Sequence, residues 1–107
     1  MKGVIWQGSS QAAVRAFPAN ARREAGFQLD KVQRGLDPDD WKPMPTVAPG
    51  AREIRISEDR GAFRVIYVAD IGTFIYVLHA FQKKTQKTGK GDLELANKRY
   101  KLIGARP

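Results

Sequence analysis

Residues 62–70, AFRVIYVAD, and 73–81, TFIYVLHAF, are two β-branched and aromatic runs separated by a short step through Asp70, Ile71 and Gly72. Runs of this composition suit a pleated, packed surface, and a Gly-containing step of that length joins them as a tight hairpin. Both are apolar at nearly every position rather than alternating. They therefore read as central strands, covered on at least part of both faces. The same stretch is no membrane span, because Asp70 interrupts it and no apolar run reaches the ~18 residues a crossing needs. The opening MKGVIWQGSS also lacks the apolar block and cleavage site of a secretory signal. The expectation is a soluble, cytoplasmic protein with no membrane partner.

The elements around the hairpin follow from period and punctuation. GVIWQ, bounded by Gly3 and Gly8, suits a first strand. Ser9 and Ser10 offer caps for a helix over QAAVRAF that Pro18 stops or kinks. From about Pro18 to Arg34 a stripe of Ala21, Ala25, Leu29, Val32 and Leu36 predicts a second helix closed by Gly35, so the two form a helical hairpin. Residues 35–50 hold four of the six prolines and three aspartates. They read as an ordered surface connection without regular structure, pinned by Trp41 and Met44. AREIRIS then alternates, with Ile54 and Ile56 on one face and Glu53, Arg55 and Ser57 on the other, and residues 58–61 form a turn. After the hairpin, QKKTQKTGKG reads as a basic loop. Asp92 is placed to cap a last helix whose Leu93, Ala96, Tyr100 and Ile103 share a face.

The order β-α-α-β-β-β-α predicts one α+β domain over residues 1–107. Its mainly antiparallel twisted sheet packs against an N-terminal helical hairpin and a C-terminal helix, with the helices on one face. A length of 107 residues with 42% hydrophobic content is enough for a single core.

The chemistry open to this chain is narrow. It has no cysteine and one histidine, His79. Disulfides, thiolate zinc sites, cysteine nucleophiles and two-histidine mechanisms are excluded. No phosphate-binding Gly-rich loop, paired carboxylate site or serine elbow is present. What remains is cationic. Residues 1–50 carry a net +2, residues 51–80 are neutral, and residues 81–107 carry eight basic against two acidic side chains, net +6. Such a segment either attracts polyanions, nucleic acid being the commonest, or is a solubilising tail.

Individual residues sharpen that choice. Arg64 lies in a run otherwise able to be buried, so it must pair, with Glu53 or Glu58, or meet an anion. Lys83, Lys84, Lys87 and Lys90 follow the last strand, whose end would hold their ammonium groups together at one edge. Neighbouring ammonium groups lower one another's pKa, which fits a lysine for proton transfer; a flexible solvated loop is the alternative. His79, like Tyr67 and Tyr76, is more often a structural residue than a catalytic one.

Four segments in order resemble the RelE/HigB toxins of bacterial toxin–antitoxin modules, particularly the phage-derived HigB-like branch. They are Glu-Ile-Arg at 53–55, Gly-Ala-Phe-Arg at 61–64, Leu-His-Ala-Phe-Gln-Lys-Lys-Thr-Gln-Lys at 78–87 and Ala-Asn-Lys-Arg at 96–99. The helical hairpin and the Trp-Lys-Pro-Met of residues 41–44 extend the resemblance over almost the whole chain. The resemblance implies a RelE-like fold and an endoribonuclease that cleaves mRNA, ribosome-dependently and without metal or other cofactor, to inhibit translation. It also implies a cognate antitoxin, a helix-turn-helix DNA-binding protein. By residue it implies phosphate stabilisation by Arg64 and substrate placement by Arg55. Lys83 and Lys84 become proton-transfer and charge-stabilising groups, His79 an additional base, and Lys87, Lys90 and Arg99 RNA contacts. A ParE-like toxin acting on DNA gyrase without enzymatic activity, and an inactive nucleic-acid-binding relative, are the alternatives.

Overall fold

The computed structural model describes residues 1–84 and 87–103. Along the chain run β1 (Gly3–Trp6), α1 (Ser10–Arg15), α2 (Ala19–Gln33), β2 (Trp41–Pro43), β3 (Arg52–Glu58), β4 (Gly61–Ile71), β5 (Phe74–Lys83) and α3 (Lys90–Ile103). The described strands form one five-stranded sheet in the order β1-β5-β4-β3-β2. All neighbours are antiparallel except β1 and β5, which pair in parallel. The two apolar runs are central strands, as their composition requires. Ile71 pairs with Phe74 across a two-residue turn in which Gly72 has φ +60°, a conformation that costs glycine little.

Apolar side chains leave this sheet on both faces, so it carries a cover on each. On one face Val14, Phe17, Ala21, Ala25, Leu29 and Val32 of the helical hairpin pack on Ile54, Ile56, Phe63, Val65, Tyr67, Ile75 and Val77. Phe17 and Phe63 meet ring to ring at 4.9 Å. The helical stripe ends at Val32, because the chain turns at Gly35 (φ +81°) and leaves Leu36 exposed.

The opposite face corrects two expectations. α3 does not join the hairpin. It lies across the other side of the sheet, where Leu93, Ala96, Tyr100 and Ile103 pack with Ile66, Val68 and Leu78. β4 exposes an apolar row on each face, and the N-terminal hairpin covers only one of them. The proline-rich connection completes this second layer: Met44, Val47, Ala48 and Ala51 are buried in it. The same segment contains an unforeseen strand, since Trp41, Lys42 and Pro43 pair with Ile54, Glu53 and Arg52. Proline is tolerated there because β2 is an edge and Pro43 ends it.

β5 bulges at Leu78. Ile66 pairs with His79 but Tyr67 pairs with Val77, leaving Leu78 as the extra residue. Leu78 and the His79 ring consequently both turn toward α3. Among the described residues no helix is long and apolar enough to cross a membrane.

Candidate functional site

Strand register decides which cations meet. Arg55 stands directly opposite Arg64, Lys42 opposite Glu53, and Ala62 opposite Lys83. Because side chains alternate along each strand, Lys42, Glu53, Arg55, Arg64 and Lys83 come from four adjacent strands onto one sheet face. This is the α3 face, at the end beyond the reach of α3's apolar contacts. Lys83 is diagonal to Arg64, a spacing of roughly 7–8 Å between Cα atoms.

At the centre is a buried pair. Arg64 is 5% exposed and Glu53 1%, and Arg64 Nε lies 3.6 Å from Glu53 Oε1. Of the two carboxylates the sequence offered to Arg64, Glu53 is the partner. Arg64 Nη1 donates to the carbonyl of its neighbour Phe63 at 2.9 Å, while Nε itself makes no hydrogen bond. The other carboxylate oxygen, Glu53 Oε2, accepts the Thr88 hydroxyl at 2.7 Å. That contact draws the start of α3's approach onto the site.

Charge around the pair is unbalanced. Among the described residues, Lys42, Arg55 and Lys83 form no ion pair, and Glu53 is already shared by Arg64 and Thr88. Burial, then the positive charges of Arg64, Arg55 and Lys42, holds the Lys83 ammonium below the usual lysine pKa, with Glu53 opposing. Burial and the neighbouring Arg55 lower Arg64 as well, against Glu53 and Asp40; an arginine nonetheless keeps its charge. A face that crowds unpaired cations around a single carboxylate favours an incoming anion, and the fork of an arginine suits phosphate oxygens.

The other predicted residues separate from this cluster. Lys84 lies just past the end of β5 and is exposed. Lys87 lines a groove beside the site, together with Lys42. Lys90 begins α3, where its ammonium is 3.8 Å from Glu94. The lysines thus divide among distinct places, and Lys83 is the one among them that sits beside Arg64. Thr85 and Gln86, part of the basic block, lie outside the described residues.

His79 and Arg99 hold the framework. His79 Nε2 and Asp92 Oδ1 are 2.7 Å apart, the ring stacks on Phe81 at 5.0 Å, and Nδ1 is buried without a hydrogen-bond partner. Asp92 therefore sits in the first turn of α3 and binds β5 instead of capping the helix. Arg99 donates to the carbonyl of the bulged Leu78 and to the Ser9 hydroxyl, both at 3.0 Å. Glu53 and Lys42 were absent from the residues the sequence singled out for function. Glu53 stood out only as one of two partners offered to Arg64 and as the first residue of the Glu-Ile-Arg segment, and Lys42 only within a Trp-Lys-Pro-Met segment.

A family model described as Phage derived protein Gp49-like (DUF891) matches residues 12–101. That span runs from within α1 to within α3 and takes in the cationic face and most of both covering layers. No curated protein matches the chain.

Proposed function

Because the chain belongs to the phage-derived Gp49-like family, we propose that it is the toxin of a toxin–antitoxin pair, with a RelE/HigB-like fold and an endoribonuclease activity on mRNA during translation. The observation that carries this reading is the clustering of Arg55, Arg64 and Lys83 on one sheet face, with a lysine whose pKa is held down by its surroundings. The sequence resemblance across residues 53–99 supports it independently of that geometry.

RNA can be cut by its own 2′-hydroxyl. The 2′-oxygen forms a bond to phosphorus, the bond from phosphorus to the 5′-oxygen breaks, and the products are a 2′,3′-cyclic phosphate and a 5′-hydroxyl. One proton must leave the 2′-oxygen, negative charge must be stabilised on the phosphorane, and one proton must reach the departing 5′-oxygen. Arg64 and Arg55 are suited to the charge, which grows on the phosphate oxygens toward the transition state. Lys83, whose pKa its surroundings lower, is suited to take the 2′-proton and, once protonated, to return one to the departing 5′-oxygen, with the exposed Lys84 as the alternative donor. A small antitoxin with a helix-turn-helix DNA-binding domain would restrain the activity.

Inducible expression in bacteria with 5′-end mapping of a reporter mRNA tests the proposal, comparing the wild type with Lys83→Ala/Lys84→Ala. Cuts that depend on translation and disappear in the double variant are expected. Growth arrest with intact mRNA and DNA-damage signalling would replace this reading with a ParE-like action on gyrase.

A further inference from the structure

Beside the cationic face lies a groove of roughly 340 Å³ between β2 and the start of α3. Its floor and walls include Pro43, Met44 and Leu93, and its rim carries Lys42, Thr46 and Thr88. Among the described residues none that lines it is acidic, and Lys87 adds a second ammonium. The groove and the site share two residues. Lys42 is the cross-strand partner of Glu53, and the Thr88 hydroxyl rests on the Glu53 carboxylate.

We infer that this groove is a nucleoside subsite, which holds a base of single-stranded RNA next to the phosphate bound by Arg64 and Arg55. The occupant is set by the chemistry of the walls. An apolar floor meets the flat face of a base, while ammonium and hydroxyl groups at the rim meet the phosphate and ribose on either side of it. Duplex RNA does not suit the groove, because its bases are stacked and paired and present no free face to it. The inference rests on the proposed reading of the cationic face as an RNA site, and it adds that binding depends on the base as well as on the phosphate.

The chain provides its own reporter. Met44 is one of only two methionines, the other being Met1, so labelled methyl groups give two signals. Protein with ¹³C-methyl methionine is titrated with an adenosine hexamer and with an abasic ribose-phosphate hexamer of the same charge. A base on the groove floor shifts the Met44 methyl through its ring current, and the abasic hexamer leaves that signal in place. A base face that covers on the order of 50 Å² of apolar surface makes the adenosine hexamer bind about tenfold tighter. Filling the groove with Thr46→Trp brings the adenosine hexamer down to the affinity of the abasic one, and Thr46→Phe provides a smaller filling if the first variant does not fold.

Equal affinities with no Met44 shift would overturn the subsite while leaving the RNA site standing, provided that Lys83→Ala and Arg55→Ala still weaken both hexamers. Binding indifferent to those two substitutions, or no binding of either hexamer, would overturn the RNA site and the subsite with it.

Discussion

Arg55 and Arg64 face each other across the β3–β4 ladder, two like charges at directly opposed positions of neighbouring strands. Such a pair costs stability, on the order of 0.2–1 kcal/mol relative to a neutral one. Only one carboxylate, Glu53, approaches either of them within ion-pair distance among the described residues. Strain of this kind is characteristic of sites that serve a ligand rather than the fold.

Arg55→Thr is therefore expected to raise stability, by roughly 0.5 kcal/mol, and, on the proposed function, to abolish toxicity. Urea unfolding and the growth of induced cells measure the two effects separately. A variant that is both less stable and still toxic would show that the opposed arginines support the fold.

Lys83 gives a signed pH dependence. Its folded-state pKa lies below the ordinary 10.5, because of burial first and Arg64 second. Below the folded value both states hold the proton, and the fold carries the full penalty of the crowded charge. Between the folded value and 10.5 only the unfolded chain keeps the proton, so stability rises with pH across that window, and above 10.5 the penalty is gone. Following the lysine side-chain ¹³C signal should place the Lys83 midpoint below 10.5 and move it upward in Arg55→Thr. A midpoint at the ordinary value would remove Lys83 as the proton acceptor.

Breaking the buried pair from the carboxylate side leaves Arg64 uncompensated. Glu53→Gln is expected to cost about 3 kcal/mol in urea unfolding. The apolar double replacement Glu53→Leu with Arg64→Met should recover most of that stability and, on the proposed function, leave the protein without toxicity because Arg64 is gone. If the double variant were no more stable than Glu53→Gln, the loss would lie in packing and not in the orphaned charge.

Arg99 is tested against Gly8. Gly8 has φ +54°, and a Cβ there would come within 2.5 Å of Arg99 Nε. Gly8→Ala should cost about 2 kcal/mol through backbone strain and displacement of the guanidinium. Arg99→Ala should likewise lower the melting temperature while leaving the salt dependence of RNA binding as it was. Lys42→Ala should reduce that salt slope by about 1. A reduced slope in Arg99→Ala would make Arg99 an RNA contact after all.

Local pattern determined much of this protein. The alternation through Ile54 and Ile56 specified β3, the two unbroken apolar runs specified the central hairpin, and Gly35 and Gly72 marked turns that need positive φ. The spacing of Leu93, Ala96, Tyr100 and Ile103 specified the buried face of α3. Each of these signals lies within one element, where residues two, three or four apart share a face whatever the rest of the chain does.

Tertiary structure decided the rest, because it turns on contacts between residues far apart in the chain. The parallel pairing of β1 with β5, the docking of α3 opposite the helical hairpin and the conversion of Trp41–Pro43 into an edge strand all depend on which apolar surfaces were still uncovered. The site depends on the same kind of information. Composition marked a basic C-terminal quarter, and the segment pattern marked Arg64 and Lys83. Only the register of four strands brought Lys42, Glu53, Arg55, Arg64 and Lys83 to one face, and the bulge at Leu78 turned His79 toward Asp92. A slip of one residue in any ladder would send every side chain of that strand to the other face. Register is set by the packing of both cores together, a property of the folded chain that no single segment contains.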